Sequence, residues 1–274
     1  MKSTPVTVLS NKRIAPHCFR MVLSGISEEF DVEPGRFIML RVGDRYDPLL
    51  RRPFAAYVTE TVRGKALEIF YAVVGYGTGI MSGMTPDTRL EVLGPLGNGF
   101  TIPDPSRRFL IVAGGMGIVP LRGLTHRLID TNCHNIHVFA GAKTKSHLLF
   151  EEELKTREIS FHPATDDGST GYHGFVTDRL DRFLAKDLPK KGNGTVCFAC
   201  GPSAMLEAVA GIADRYGIPC QVSLESRMAC GIGVCLGCAV KLRNHRTPGP
   251  DNEYYGRVCV EGPVFESKDL VWPI

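Results

Sequence analysis

The chain changes rhythm near its middle. Over residues 5–100, short apolar runs alternate with polar positions: PVTVLS (5–10), FRMVLS (19–24), RFIMLRV (36–42), FAAYVTE (54–60), ALEIFYAVV (66–74) and RLEVLG (89–94). Turn residues cut between them, among them Gly25, Pro34-Gly35, Gly64, Gly75 and Gly77. Successive strand side chains point to opposite faces, so several short alternating runs with frequent turns predict an antiparallel β-barrel or sandwich. Only the stretch TGIMSGM (78–84) predicts a helical turn inside it.

From about residue 105 the runs become continuous. RFLIVAGG (108–115), NIHVFAGA (135–142), ISFHPAT (159–165), TVCFACG (195–201) and PCQVSL (219–224) are apolar without alternation. Between them, IVPLRGLTHRLID (118–130), HLLFEEELK (147–155), FVTDRLDRFL (175–184) and SAMLEAVAGIADRYG (203–217) are spaced as helices. Strands buried on both faces and alternating with helices predict a doubly wound parallel α/β sheet. The last fifty residues are rich in cysteine and glycine and lack period, which predicts a segment held by something other than a hydrophobic core. The expected division is a β-barrel over 1–101, an α/β domain over 102–222 and a small C-terminal domain over 223–274.

Composition narrows the partners. A net charge of +3 over 274 residues, with no basic block, gives no reason to expect nucleic acid. No run of eighteen apolar residues predicts a membrane span, and the N-terminus MKSTPVTVLS lacks the apolar stretch of a secretory signal. A cytoplasmic location is the expectation. There the nine cysteines are poor candidates for disulfides.

Three groups of residues carry chemistry. In VAGGMGIVP (112–120), Gly114, Gly115 and Gly117 sit between a strand and a helix, where backbone N–H groups meet a phosphate. The third glycine of G-x-G-x-x-G is missing, and a glycine turn at this place serves packing equally well. Cys200-Gly201-Pro202 stand at a strand's C-terminal tip, the edge where open α/β sheets bind ligands. Asp166-Asp167, followed by Gly-Ser, read as a turn. In the barrel half, Arg52-Pro53 and the Gly75-x-Gly77-Thr78 turn supply a cation, N–H groups and a hydroxyl for an anion. The third group is Cys230-x4-Cys235-x2-Cys238, with Cys259 after twenty further residues. This is a plant-type spacing for a [2Fe–2S] cluster. Zinc is the rival, although its sites pair two short knuckles and this chain has one, plus a lone His245. Cys18, Cys133, Cys197 and Cys220 are expected to be buried and inert.

The order Arg-Pro, G-x-G-T, GPLGNGF (94–100), GGMGIVP, CGP and a cysteine cluster resembles the ferredoxin–NADP reductase superfamily. VSLESRMACGIGVCLGCAVK (222–241) with RVCVEGPVF (257–265) resembles, more narrowly, electron-transfer subunits of type B dihydroorotate dehydrogenases. The resemblance spans essentially the whole chain. It implies FAD on the barrel, NAD on the α/β domain and a [2Fe–2S] cluster on Cys230, Cys235, Cys238 and Cys259. By position it implies a flavin site of Arg52, Pro53, Phe54, Ala55, Phe70, Tyr71, Ala72, Gly77 and Thr78. It further implies a nicotinamide site of Gly114, Gly115, Gly117, Cys200, Gly201 and Pro202. NAD rather than NADP follows from the resemblance alone, since Lys143 and Lys145 also suit a 2′-phosphate. The implied partner is an FMN-containing subunit that oxidises dihydroorotate, in a heterotetramer with two of each chain. The same cofactors would suit an NAD(P)H oxidoreductase with another partner, or a redox sensor without turnover. Ala55 stands where the family carries serine, and Ala72 where it often carries a basic residue. One lost charge-assisted contact weakens anion binding by about 1.5–3 kcal/mol unless another residue supplies it.

Overall fold

The structure is a computed structural model and describes residues 3–43, 46–155, 159–187, 194–244 and 252–274. His245, weighed above as a zinc ligand, lies outside them.

The alternating half forms β1 (Ser3–Ala15), β2 (Cys18–Ser24), β3 (Phe37–Arg41), β4 (Arg52–Thr61), β5 (Gly64–Ala72), the short helix α1 (Tyr76–Ser82) and β6 (Arg89–Leu96). The six strands close into an antiparallel barrel in the order β1-β2-β5-β4-β3-β6, which leaves no free edge. Every second residue turns inward: Val6 and Val8, Met21 and Leu23, Ile38 and Leu40, Leu67 and Ile69 fill the interior.

The continuous half forms β7 (Arg108–Gly114), α2 (Ile118–Asp130), β8 (Asn135–Ala142), α3 (Glu151–Lys155), β9 (Ile159–Thr165), β10 (Tyr172–His173), α4 (Val176–Asp187), β11 (Thr195–Cys200), α5 (Ser203–Tyr216) and β12 (Cys220–Ser223). These six strands pair in parallel in the order β10-β9-β8-β7-β11-β12. The chain runs outward from β7 to one side and later returns to its other side at β11. The crevice at the ends of β7 and β11 is therefore the switch point where such sheets take ligands.

Two expectations change. HLLFEEELK is helical only over Glu151–Lys155, because Phe150 takes a positive φ of 61° and turns its ring edge-on to Phe70 of the barrel, 4.9 Å between centroids. The C-terminal segment is also less independent than its texture suggests. It forms a hairpin, β13 (Ala239–Arg243) and β14 (Glu253–Arg257), and a short strand β15 (Val264–Glu266) that extends the sheet antiparallel to β12. Val240, Leu242, Val258, Phe265 and Leu270 pack in one apolar core with Phe37 and Met39 of the barrel and Val222 of the sheet. The segment has a hydrophobic core, borrowed from its neighbours. Asp166-Asp167 form the expected turn, with Asp167 Oδ1 accepting the Ser169 N–H at 3.0 Å.

Under α4 a polar chain crosses the sheet. Arg179 Nη2 donates to His162 Nδ1 (3.0 Å), and His162 Nε2 lies 3.2 Å from His137 Nδ1. A guanidinium only donates, so His162 accepts at Nδ1 and carries its proton on Nε2, toward His137. Burial, then Arg179 and His137, push the His162 imidazole down to about 4. The unfolded chain therefore binds more protons than the folded one between about pH 6.5 and 4. This contribution to stability is intact above pH 6.5 and is lost as pH falls to 4. Denaturant midpoints across that window are expected to fall for the native chain and to fall less for His162→Phe.

Candidate functional site

A cavity of about 410 Å³ opens where the barrel, the α/β sheet and the C-terminal segment meet. Its size lies in the range of cofactor pockets. Arg52, Pro53, Phe54, Ala55, Phe70, Tyr71, Ala72 and Thr78 line it from the barrel, as does Arg36. Met116, Val119, Pro120 and Cys200 line it from the sheet, and Leu224, Glu225, Ser226 and Met228 from the C-terminal segment. Of the residues singled out for the flavin, all but Gly77 face this space.

Gly77 has another task. A Cβ there would stand 2.7 Å from Arg52 Nε, so the glycine lets the guanidinium lie on the first turn of α1. A cation beside the N–H end of a helix turn is unfavourable until an anion joins them, which suits a diphosphate. Thr78 is committed differently from expectation: its hydroxyl donates to the Gly75 carbonyl (3.0 Å) and accepts the Val74 and Gly75 N–H groups. Its side chain caps α1. Ala72 supplies no charge to the wall, and Arg36 is a further basic residue there, its Nε donating to the Gly97 carbonyl at 3.0 Å.

The glycines of the sheet divide by role. A Cβ at Gly114 would meet Met205 Sδ at 2.6 Å and Pro202 Cδ at 2.9 Å. One at Gly117 would overlap the Cys200 carbonyl and stand 2.7 Å from the Gly201 nitrogen. One at Gly201 would stand 3.0 Å from the Gly114 nitrogen. These three lock the tips of β7 and β11 together, with Pro202 in the same contact, so packing explains them. Gly115 is different. It has φ +54 and open space around it, and it leaves its turn exposed beside the switch point. Cys200 is buried at the cavity wall, paired in register with Ser223, and burial next to Glu225 pushes its thiol far above the ordinary value.

Residues that pattern reading passed over hold the halves at this angle. Arg122 of α2 pairs with the buried Glu68 of β5 (3.3 Å) and with Glu153 of α3 (2.9 Å), and Glu68 also pairs with Arg20. The guanidinium lies 5.2–5.6 Å from the ring centroids of Tyr57, Phe70 and Phe150. Burial would raise the Glu153 carboxyl, yet His126 and Arg122 hold it below the usual range. Gly123 sits against the Tyr57 ring, whose hydroxyl is buried close to the Gly123 backbone without a well-aligned hydrogen bond. Gly123→Ala would gain about 1 kcal/mol of helix propensity. The added methyl would overlap the rigid ring, 2.7 Å from Cδ1, at a cost of about 1–3 kcal/mol. The clash wins, and thermal denaturation is expected to show a lower Tm.

The cysteine segment leaves the cavity directly. Met228 is in the wall and Cys230 is two residues on, no more than about 7 Å of extended chain. The Ile232 N–H donates to Cys230 Sγ (3.4 Å) and the Gly237 N–H to Cys235 Sγ (3.5 Å). Partial burial would raise the Cys230 thiol, but the N–H groups of Ile232 and Cys235, the Cys235 thiol and the Val234 N–H bring it down to about 6. Cys259 is pushed up to about 12 by burial and by the Cys238 thiol beside it. Gly233 has φ +83 and admits no Cβ, since Val260 Cγ2 would be 2.6 Å away. Among the described residues no three His, Cys, Asp or Glu side chains gather around one ion position. The thiols are nevertheless close to one another: Cys235 acts on Cys230, and both Cys238 and Cys230 act on Cys259. Four thiols at plant-type spacing are the donor set of a [2Fe–2S] cluster, whereas zinc sites pair two short knuckles. Asn98, in the GPLGNGF loop, ties this segment to the barrel: its Nδ2 donates to the carbonyls of Val260 (3.1 Å) and Glu261 (3.0 Å).

Comparison with known proteins agrees with this geometry. Residues 225–271 match the family described as the iron–sulfur cluster binding domain of dihydroorotate dehydrogenase B, and residues 111–211 match the oxidoreductase NAD-binding domain. The chain is 36% identical over 265 residues to the electron transfer subunit of dihydroorotate dehydrogenase B (NAD(+)) of Desulforamulus reducens, covering 97% of each chain. It is 37% identical over 271 residues to that of Geobacillus kaustophilus, again covering 97% of each. Among solved structures, a chain of an NADH-dependent reduced ferredoxin–NADP oxidoreductase superposes with a TM-score of 0.78 at 26% identity, over 97% of this chain and 90% of that one. A ferredoxin–NADP+ reductase from Neisseria gonorrhoeae with bound FAD and NADP shares the fold, with a TM-score of 0.66 at 18% identity over 79% of this chain and 92% of that one. With its barrel, its switch-point crevice and its close-set thiols in one chain, the protein belongs to the family of electron transfer subunits of dihydroorotate dehydrogenase B (NAD(+)).

Proposed function

We propose that this chain is the electron conduit of a dihydroorotate dehydrogenase in pyrimidine biosynthesis. It links an FMN-containing partner that oxidises dihydroorotate to NAD⁺, in a cytoplasmic heterotetramer with two of each chain. The observation that carries this reading is the continuity of residues 224–230: one stretch of backbone walls the cavity and then reaches Cys230, the first of the four proposed cluster thiols. A bound [2Fe–2S] cluster would exchange single electrons, and bound FAD would combine two of them with one proton into the hydride that NAD⁺ takes.

The chain's own residues do the holding. Arg52 and the first turn of α1 bind the diphosphate of FAD. Pro53, Phe54, Ala55, Phe70, Tyr71 and Ala72 seat the flavin, and Thr78 keeps α1 in place. The open turn at Gly115, with Gly114 and Gly117 behind it, receives the nicotinamide nucleotide. Cys200, Gly201 and Pro202 shape the wall that its ring meets. The working units are 1–101 for FAD, 102–222 for NAD and 223–274 for the cluster. Cys235 is exposed, and Ile232, Val234 and Leu236 around it are exposed too, an apolar rim suited to a protein partner that delivers electrons. Among the described residues no helix is long and apolar enough to cross a membrane.

Anaerobic purification tests the reading. About two iron, two acid-labile sulfide and one FAD per chain, with NADH bleaching the flavin, are expected. Mixing with the dihydroorotate-oxidising subunit should then give dihydroorotate-dependent reduction of NAD⁺. Zinc without sulfide would sink the proposal.

A further inference from the structure

The electron path leaves one proton unaccounted for. Electrons arriving singly from an iron–sulfur cluster bring no proton, whereas the hydride that leaves for NAD⁺ takes two electrons and one proton. One proton per NADH must therefore enter the cavity from solvent. The wall is largely apolar, and few of its groups can carry a proton. Its ionisable residues are Arg36, Arg52, Tyr71, Cys200 and Glu225.

Four of these are unsuited near neutral pH. The two arginines stay protonated. Burial pushes the Tyr71 hydroxyl up to about 12, and the hydroxyl already donates its proton to Asn11 Oδ1 (2.9 Å). Burial and the nearby Glu225 keep the Cys200 thiol protonated. Glu225 is the one carboxyl in the wall among the described residues. It follows directly on β12, between Leu224, which is anchored by its N–H to the Pro263 carbonyl (2.9 Å), and Ser226. The residue is exposed to solvent and also lines the cavity, where its carboxyl is close enough to Cys200 to raise that thiol, and loss of water around the carboxyl holds it above the usual carboxylate range. It touches both phases.

We propose that the Glu225 carboxyl carries the proton between solvent and the flavin cavity. The inference rests on the conduit reading above. In each turnover the carboxyl O–H bond breaks, the proton passes to the isoalloxazine as the second electron arrives, and the carboxylate left behind is reprotonated by solvent at the rim. When the path runs backward from NADH, the carboxylate accepts the proton as electrons leave for the cluster.

The backward path separates the two steps in one experiment. The purified chain, with FAD and iron quantified, is mixed with excess NADH in a stopped-flow instrument. Flavin bleaching reports hydride transfer, which needs no separate proton. Cluster bleaching, checked by freeze-quench electron paramagnetic resonance, reports the proton-coupled step. A native chain lacking flavin or cluster would defeat the conduit reading itself, before Glu225 is tested. Glu225→Gln is expected to leave hydride transfer within about twofold and to slow cluster reduction about 100-fold, at the lower end of general acid–base effects. The native rate of cluster reduction should rise with pH and show a solvent deuterium effect, both lost in Glu225→Gln. Glu225→Asp should restore part of the rate and the pH dependence, and it serves alone if the glutamine variant loses flavin. An unchanged cluster-reduction rate and pH profile in Glu225→Gln would overturn the proposal. Equal slowing of both phases would overturn it too, since Glu225 would then only place the ring. On the aspartate variant alone, a cluster-reduction rate equal to the native one overturns it.

Discussion

Cys259→Ser is expected to strip iron and acid-labile sulfide from the chain, from about two of each to under a tenth of that, while FAD stays bound. The thiol sits at 3% exposure beside Cys238, so serine fills the same space and the fold has no reason to fail. What is lost is one of four thiolates, and a hydroxyl is a far poorer iron ligand than a thiolate. NADH should still bleach the flavin, because the residues assigned to hydride transfer lie in the other wall. Electron delivery from the dihydroorotate-oxidising subunit should fall below detection. Cys133→Ser is the control: that cysteine is equally buried, in the core beneath α2, and its loss should leave iron content unchanged. Equal loss of iron from both variants would point to general misfolding and would count against the assignment of the four ligands.

Gly117→Ala is the second large effect, and its cause is purely steric. Gly117 has φ −61°, a helical value that any residue adopts, so no torsional preference calls for glycine here. The added methyl would overlap the Cys200 carbonyl and press on the Gly201 nitrogen at 2.7 Å. Both are backbone atoms, pinned by the pairing of Cys200 with Ala113, and no rotamer change relieves the clash. The tips of β7 and β11 must part, at a cost of about 3 kcal/mol. In a chain of this size that lowers Tm by roughly 6–12 °C. NADH affinity, read by titration of flavin bleaching, should fall at least about tenfold if the nucleotide binds at those tips as proposed. Gly211→Ala in α5 is the matching control. With open space around it and a helical setting, it should stabilise by up to about 1 kcal/mol.

The two substitutions also mark how unevenly the site can be read. The four cysteines announce themselves by spacing, because a cluster needs four thiolates and a loop of small residues close to them. The N–H groups of Ile232 and Gly237 that face the sulfurs follow from that local loop. Gly114, Gly115 and Gly117 were legible as a turn, but their separate jobs were not. Which glycine packs and which stays open depends on where β11 lies, and β11 is some eighty residues away. The capping of α1 by Thr78 is local in sequence, yet a Gly-x-Gly-Thr turn reads equally well as a phosphate loop.

The sequence by itself determined the barrel, the alternating α/β half and the cysteine spacing on which the proposed cluster ligands rest, since each depends on residues near one another along the chain. Period two, continuous apolar strands and cysteine spacing are local signals, and local physics decides them. Only the tertiary structure decided the rest. It turned Phe150 out of a helical register to meet Phe70, and drew residues 264–266 into the nucleotide sheet. It set Asn98 on the carbonyls of the cluster segment, placed Arg122 between Glu68 and Glu153, and put Glu225 on the wall of the flavin cavity. Each of these joins residues from distant parts of the chain. Their partners come together only when barrel, sheet and cluster segment bury a shared surface, and no window of the sequence contains both halves of such a contact.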